Sequence, residues 1–444
     1  MIDKETLSKL AEAACNAAIS NGAEFADVSI NSGRNLKVNL EQNAIKSCDA
    51  NQGGSMSVRA IYKGGTGWFT SGKLTLESAT GAGINAAKLA KLAEPDPDFI
   101  SLPKPAESYP AVEGLADPAL ASVDIKEIIK YSLDNVDGAL AVCSEAVVEG
   151  GFSVGFQASA FVNSLGISLS NEYSSIGGYI STVIRRGEDV GSFYDFDSAR
   201  VFSDFEPRGI GAKATEQALK FLGSRLVETQ RMPVILGPLA SRSVFSGVVG
   251  NVDAENVQRG RSFMMGKLNE KIASDALTLT DNPLIPRGLG SRPYDYEGTP
   301  SKPLVVMENG VLKSYLYSSY SAGKAGVSST GHGTRGGGAA PSNIVPKLGS
   351  KTSAEIILST KEGLYINMGG ISPSAVTGDV SSSVDFGFKI ENGELAYPVK
   401  STMVGGKFLE MLENIDEISS DYREEPGMIM PTIRIQDVLV AGGK

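Results

Sequence analysis

The chain has 444 residues, 41% of them hydrophobic and 21% charged, with a formal net charge of −10. This is the composition of a globular protein able to bury a substantial core, in two or three domains of about 150 residues or more. The acidic balance argues against a nucleic-acid partner, which needs a basic face to displace counterions. The 51 glycines favour a strand-rich protein with sharp turns. No apolar run approaches the roughly 18 residues of a membrane span. Cys15, Cys48 and Cys143 are odd in number and far apart. They give neither a zinc spacing nor a disulfide framework, and they suit a reducing compartment. The first residues lead straight into an amphipathic helix rather than a signal peptide. The expectation is a cytoplasmic protein with no membrane and no nucleic-acid partner.

Asp3 caps a helix over 3–20, whose Leu7, Leu10, Ala11, Ala14, Cys15 and Ala18 share one face. Asn21-Gly22 stops it. Ala26, Val28 and Ile30 alternate with polar residues, as do Leu36, Val38 and Leu40. Ser32-Gly33-Arg34 between them predicts an antiparallel hairpin turning there. A second hairpin joins Met56, Val58 and Ala60 to Gly67-Trp68-Phe69-Thr70 across Lys63-Gly64-Gly65, and a helix follows over 74–93. Prolines 95, 97, 103, 105, 110 and 118 make 94–118 an extended connector. Asp124 caps a helix over 124–136, with Ile125, Ile128, Ile129 and Leu133 on one side. Strands fill 141–199, turning at Asn163-Ser164-Leu165-Gly166 and at Arg186-Gly187-Glu188-Asp189. The hairpin over 180–193 echoes the one over 56–70, as a weak internal repeat or as two hairpins of one sheet. A helix over 210–226 closes a first domain, 1–228.

The second domain, 229–444, opens on the stretch around which the chain is organised, 233–283. The apolar run Pro233-Val234-Ile235-Leu236 leads through Gly237-Pro238 into a helix over 239–249, since proline in a first turn gives up no hydrogen bond. Asp253, Glu255 and the tetrad Gly260-Arg261-Ser262-Phe263 follow. Further on, strands are predicted over 304–307 and 311–316, about the turn Glu308-Asn309-Gly310. A glycine-rich loop spans 328–343. Strands follow over 363–367, 384–390 and 395–400, then a helix over 407–415. A last strand over 431–440 inserts among earlier ones. The fold class is α+β in two domains. The first mixes helices with hairpins, and the second is a glycine-rich, mainly antiparallel β domain carrying the central helix.

Short motifs add little. Gly151-Phe152-Ser153-Val154-Gly155 fits a nucleophile elbow, but more strand follows where a helix is needed. Ser-x-x-Lys occurs at Ser101 and again at Ser321, which shows how loose that pattern is. The loop Gly331-His332-Gly333-Thr334-Arg335-Gly336-Gly337-Gly338 lacks the Gly-Lys-Ser/Thr of a phosphate loop. It reads as a flexible surface loop with an incidental histidine, or as bare backbone that another chain can approach. Asp253 with Glu255, and Asp195 with Asp197, have the oxygens to hold Mg²⁺ or Ca²⁺ but read as solvated carboxylates.

The tetrad, the helix before it and the glycine-rich loop resemble the TldD/TldE metalloprotease family, in which TldE is also called PmbA. The resemblance covers nearly the whole chain and is densest over 233–343. Its members have carried the label of DNA gyrase modulators. In the catalytic TldD branch a His-Glu-x-x-x-His helix lies just before the tetrad. Here that window is Phe245-Ser246-Gly247-Val248-Val249-Gly250. The same branch takes a further ligand from a cysteine near the C-terminus, but every cysteine here precedes Ser144, and His332 is the one histidine. Catalytic zinc needs three protein ligands and an open position. The resemblance therefore implies a TldE-like chain with no catalytic residue, no metal and no cofactor of its own. It implies a hollow dimer with a TldD-like subunit, which would carry the zinc, or with a second copy. Unfolded peptide would be bound by strand addition. By the same resemblance Arg261, Gly331, His332, Arg335 and Asn343 line the peptide cavity, with Arg335 placed for a peptide carboxylate or acidic side chain. A stand-alone peptidase or amide hydrolase with an unrecognised site stays open, as does a gyrase-modulating binding protein.

Overall fold

Even-numbered residues from Ala26 to Leu40 all point into the core, so the chain does not turn at Ser32-Gly33-Arg34. It runs through as one strand, β1 (Phe25–Glu41), with Ser32 buried on the same face. A polar-Gly-polar triplet imitates a turn, but alternation kept in phase across it is the stronger signal. The turn comes at Gln42-Asn43, both in the left-handed region (φ 49° and 64°), before β2 (Ala44–Tyr62). The computed structural model describes residues 1–443.

After β2, Lys63-Gly64 turn the chain into β3 (Gly65–Ser71). The first helix, α1 (Lys4–Ser20), is capped by Asp3, whose carboxylate accepts the Thr6 N–H at 2.9 Å. Thr75 caps α2 (Leu76–Ala90). The connector is irregular up to the short α3 (Pro118–Ala121). The pattern then returns: α4 (Ile125–Val142), β4 (Val147–Asn163), β5 (Ser168–Arg186), β6 (Asp189–Ala199) and α5 (Ile210–Lys220). The six strands form one sheet in the order β3-β2-β1-β4-β5-β6. β1 and β4 have 17 residues each, β2 and β5 19 each, and β1 pairs with β4 antiparallel at the centre. The two echoing hairpins are thus matching parts of two helix–meander–helix units that meet at β1 and β4.

One expectation about α4 is corrected. Its buried face carries Ile128, Ser132, Asn135, Val136 and Ala139, while Leu133 stays exposed. Asn135 docks α5: its Oδ1 accepts the Gly211 N–H at 2.9 Å, and its amide donates to the Tyr131 and Pro207 carbonyls. A polar residue on the packed face hides the true stripe from an apolar-spacing argument. The helix also continues to Val142, into residues expected to be strand.

The second sheet begins with β7 (Gln230–Leu236), followed by α6 (Pro238–Val249), α7 (Ala254–Gln258) and β8 (Leu279–Asp281). Next come β9 (Leu304–Glu308), β10 (Val311–Leu312), α8 (Ser319–Ala325), β11 (Ile344–Pro346) and α9 (Ser353–Leu358). Then follow β12 (Glu362–Met368), β13 (Asp379–Ser383), β14 (Phe386–Glu391), β15 (Glu394–Pro398) and β16 (Thr402–Lys407). The chain closes with α10 (Phe408–Glu413), β17 (Ile415–Glu425) and β18 (Met428–Gly442). The main path is β10-β9-β8-β11-β18-β7-β12-β14-β15. Only β7·β12 and β11·β18 run parallel among the described strands. β18 inserts between β11 and β7 and also pairs with β16 and β17. The strand expected over 311–316 shrinks to two residues, and α8, which sequence spacing did not reveal, is held by a Ser318/Ser321 capping box. The molecule is mixed α and β with mainly β content. Among the described residues no helix is long and apolar enough to cross a membrane.

Helices α1, α2, α4 and α5 cover the apolar face of the first sheet. The opposite face is polar and glycine-rich. One end of it, at Asp27, lies under Arg335, and further along it faces the segment 289–296 across a groove.

Candidate functional site

Helix α6 carries the window expected to hold metal ligands, and it is filled with hydrocarbon. Phe245 is fully buried. The Phe408 ring lies against Gly247 so closely that a Cβ there would be 2.7 Å from Phe408 Cζ and 3.1 Å from Pro373 Cδ. Phe263 of the tetrad meets Phe408 edge-on, with ring centroids 5.8 Å apart. Ser246 is half-buried, and Gly250 is exposed at the helix end. This donor set does not fit zinc, which needs nitrogen, sulfur or carboxylate ligands. Among the described residues no three His, Cys, Asp or Glu side chains are grouped to hold a metal ion.

The two acidic pairs are engaged rather than freely solvated. Asp253 caps α7, and its Oδ1 accepts the Glu255 N–H at 3.2 Å and the Ala339 N–H at 3.0 Å. Glu255 pairs with Arg259 Nη2 at 2.6 Å. Asp195 pairs with Arg423 Nη1 at 2.8 Å, and Asp197 accepts the Ser198 and Glu206 N–H groups.

The residues expected to line a peptide cavity separate into different places. Arg261 is exposed; its backbone N–H donates to the Asn256 carbonyl at 2.8 Å. His332 is wholly buried. Its Nε2 lies 3.0 Å from Asp281 Oδ1, and its Nδ1 lies 3.0 Å from both the carbonyl and hydroxyl oxygens of Thr330. Asn343 is equally buried: its Oδ1 accepts the Gly290 N–H at 3.0 Å, and its amide donates to Asn282 O and Ser291 Oγ. Gly331, at φ 76°, packs on the Pro300 carbonyl. His332, Asn343 and Gly331 therefore brace the loop from behind instead of lining a cavity. Their polar atoms are already paired, which corrects the expectation for these three.

Arg335 reaches the first sheet, and its anion is internal. Its Nε donates to Asp27 Oδ1 at 2.6 Å, and its Nη2 donates to the Asp27 carbonyl at 3.0 Å. Arg59 takes the other carboxylate oxygen of Asp27 through Nε at 2.7 Å, and its Nη1 donates to the Arg335 carbonyl. Both guanidinium carbons sit over the Trp68 ring, at 4.9 Å for Arg335 and 5.5 Å for Arg59. Asp27 is at one end of β1, so this cluster ties the glycine-rich loop to the first sheet. The expectation that Arg335 awaits a peptide carboxylate gives way to this pairing.

Beneath the same loop lie Asp295 and Glu297, a pair that sequence reasoning passed over. Asp295 Oδ2 accepts the Gly333 N–H at 2.8 Å. Glu297 Oε2 accepts the Ser319 N–H at 2.7 Å, and a side chain on Gly333 would run into it. A Cβ on Gly337 or Gly338 would lie 3.3 Å from Glu255 or Asp253, a looser contact. Gly333 is the position where the carboxylates leave no room for a side chain. With Arg59, Trp68 and Arg335, Glu297 lines a cavity of about 220 Å³.

Burial, reinforced by the Asp295 carboxylate, pushes the Glu297 carboxyl up from 4.5 to about 7. Burial raises Asp295 and Asp253 as well. The folded state therefore holds a proton on Glu297 that the unfolded chain releases near pH 4.5. Its stabilising contribution is complete below that pH and is lost as pH rises through about 7. The loss across that window amounts to at most about 3 kcal/mol. Glu297→Gln, which keeps the neutral shape, is expected to raise stability at pH 8 and leave it near wild type at pH 5. Denaturant unfolding at the two pH values checks this.

Further along the first sheet's polar face lie two cavities. One cavity of about 730 Å³ is lined by Asn31, Arg34, Asn51, Gln157 and Arg200 among others. A second, of about 320 Å³, shares Asn31, Gln157, Tyr173, Arg200 and Leu289 with it and continues under Arg292, Tyr294 and Tyr296. Together they make a groove between the sheet and the segment 289–296. Gly53 and Gly155 leave bare strand backbone along it.

Three domain models of one family match successive parts of the chain. Residues 26–94 match PmbA/TldA metallopeptidase domain 1, 118–222 the central domain, and 229–442 the C-terminal domain. The metalloprotease PmbA of Escherichia coli O157:H7 is 25% identical, over 99% of this chain and 97% of its own length. A metalloprotease of Methanocaldococcus jannaschii is 26% identical, over 96% and 94%. Among solved structures, TldE from Thermococcus kodakarensis superposes with a TM-score of 0.89 at 25% identity, covering 98% of this chain and all of that one. A Bacteroides thetaiotaomicron protein labelled a modulator of DNA gyrase gives 0.89 at 26% identity, covering 98% of each chain.

Proposed function

The chain belongs to the PmbA/TldD metallopeptidase family, and on that premise we propose that it is the non-catalytic, TldE-like subunit of a two-chain zinc peptidase. The observation that carries this reading is the filling of the α6 window by Phe245, Gly247 and Phe408, where a zinc enzyme of the family would place ligands. Zinc would polarise the scissile carbonyl and supply a hydroxide nucleophile, and it would do so in a TldD-like partner. This chain would complete the chamber and hold unfolded peptide. The groove suits that task. Its central strands are paired on both edges, so a peptide would lie across the sheet face, where Asn31, Asn51 and Gln157 offer amides to its backbone. The unpaired cysteines, Cys15 and Cys143 buried and Cys48 exposed, fit work in the reducing cytoplasm. The names carried by the relatives in Escherichia coli and Thermococcus kodakarensis favour the same branch.

Co-expression with a TldD-like chain is the test. The two are expected to co-purify, and their complex to hydrolyse a disordered peptide faster than either chain alone, with chelator abolishing the reaction. Two chains that never associate would remove this reading. A stand-alone hydrolase has one observation in its favour: the buried Asp295/Glu297 pair beside a cavity, with Glu297 titrating near neutrality. Chelator-resistant hydrolysis by the purified chain would support it. A pull-down that recovers gyrase and no peptidase subunit would favour the modulator reading instead.

A further inference from the structure

Two guanidinium groups line the groove, those of Arg200 and Arg292, and neither has a carboxylate partner within salt-bridge distance among the described residues. Arg200 donates to the carbonyls of Gly288, Leu289, Leu115 and Ser174. Carbonyls fix this side chain without cancelling its charge. Arg292 differs. It is 8% exposed, it donates one hydrogen bond, from Nη2 to the Ala340 carbonyl at 3.1 Å, and its Nε has no partner. The Tyr296 ring lies 5.6 Å from its guanidinium carbon. The single carboxylate lining the groove, Asp295, already accepts from the backbone N–H groups of Glu297, Thr299 and Gly333. A buried guanidinium with an idle N–H costs free energy unless something accepts from it. The natural acceptor for its planar fork is a carboxylate.

We propose that Arg292 docks a carboxylate of the bound peptide, either an Asp or Glu side chain or the C-terminal carboxylate, so that the groove selects acidic peptides. This rests on the reading of the groove as a peptide site and names the class of peptide it takes. A neutral peptide would still lie across the sheet face, but it would leave the Arg292 fork unanswered.

The test is fluorescence anisotropy of short, unstructured, labelled peptides with the full chain. One pair differs by Glu against Gln at an internal position, and another by a free against an amidated C-terminus. The carboxylate member of at least one pair is expected to bind about tenfold to a hundredfold more tightly. Which pair shows the preference tells the side-chain source from the terminal one. Arg292→Met is expected to reduce the preference to about twofold or less, and Arg292→Lys to keep part of it. Equal binding within both pairs overturns this inference while leaving the peptide reading standing. A preference that survives in Arg292→Met also overturns it. Failure of every peptide to bind the wild-type chain removes both readings. Should Arg292→Met fail to fold, the wild-type pairs and the lysine variant still decide.

Discussion

Asp27→Ala is expected to remove about 3–5 kcal/mol of stability, the loss typical of breaking a buried ion pair by deleting one partner. Asp27 is the one carboxylate paired with both Arg59 and Arg335, and all three side chains are nine-tenths or more buried. Without it two guanidinium groups remain under the glycine-rich loop with no paired anion. The nearest remaining candidate is Glu297, which already feels Arg59 and acts on Arg335. A second signature follows. Glu297 should gain charge in the variant, so its titration should fall from about 7 and the drop in stability between pH 5 and pH 8 should flatten. The double variant Asp27→Ala/Arg335→Ala should lose less than the sum of the singles, because removing Arg335 also removes an uncompensated buried charge. Denaturant unfolding of the set at both pH values measures all three expectations.

Phe408→Ala should cost a similar amount, about 3–5 kcal/mol, for a different reason. The ring is fully buried and fills the space beside α6 that Gly247 leaves free. Truncating it loses the transfer free energy of the ring and opens a cavity bordered by Phe263 and Gly247. Gly247→Ala alone should destabilise by overpacking, since its new Cβ would lie 2.7 Å from Phe408 Cζ. In the Phe408→Ala background the same change has room, so the pair should be less harmful than additivity requires. A helix held by ligands to a metal would respond to chelator. This one should respond to Phe408 and be indifferent to chelator.

Much of the architecture was legible because alternation and capping are local. Asp3, Asp124 and Gly237-Pro238 announce their helices, and the turns at Lys63-Gly64 and Gly187 announce the hairpins. β1 was misread because Ser32-Gly33-Arg34 has turn composition, although the parity of Ala26, Ile30, Leu36 and Leu40 argued for one continuous strand. The site was less legible because its contacts join distant residues. Asp27 and Arg335 are 308 positions apart, and nothing near either one in sequence points to the other. His332 drew attention as the only histidine, yet its partners Asp281 and Thr330 make it a brace. Asp295 and Glu297 gave a faint signal in two acids separated by one residue. Arg200, between Ala199 and Val201, gave none. The residue types of the window Phe245–Gly250 could be read directly, because they are a property of the sequence itself. That Phe408 fills the space could not, since it comes from a helix 160 residues further along.

The central claim is that this chain supplies no zinc site. Elemental analysis of the purified protein, alone and in complex with a TldD-like chain, tests it most directly. The expected result is no stoichiometric zinc on this chain alone and about one zinc per complex, lost when the partner's ligands are changed. Stoichiometric zinc on the isolated chain, lost on substitutions within Phe245–Gly250 or at His332, would contradict it.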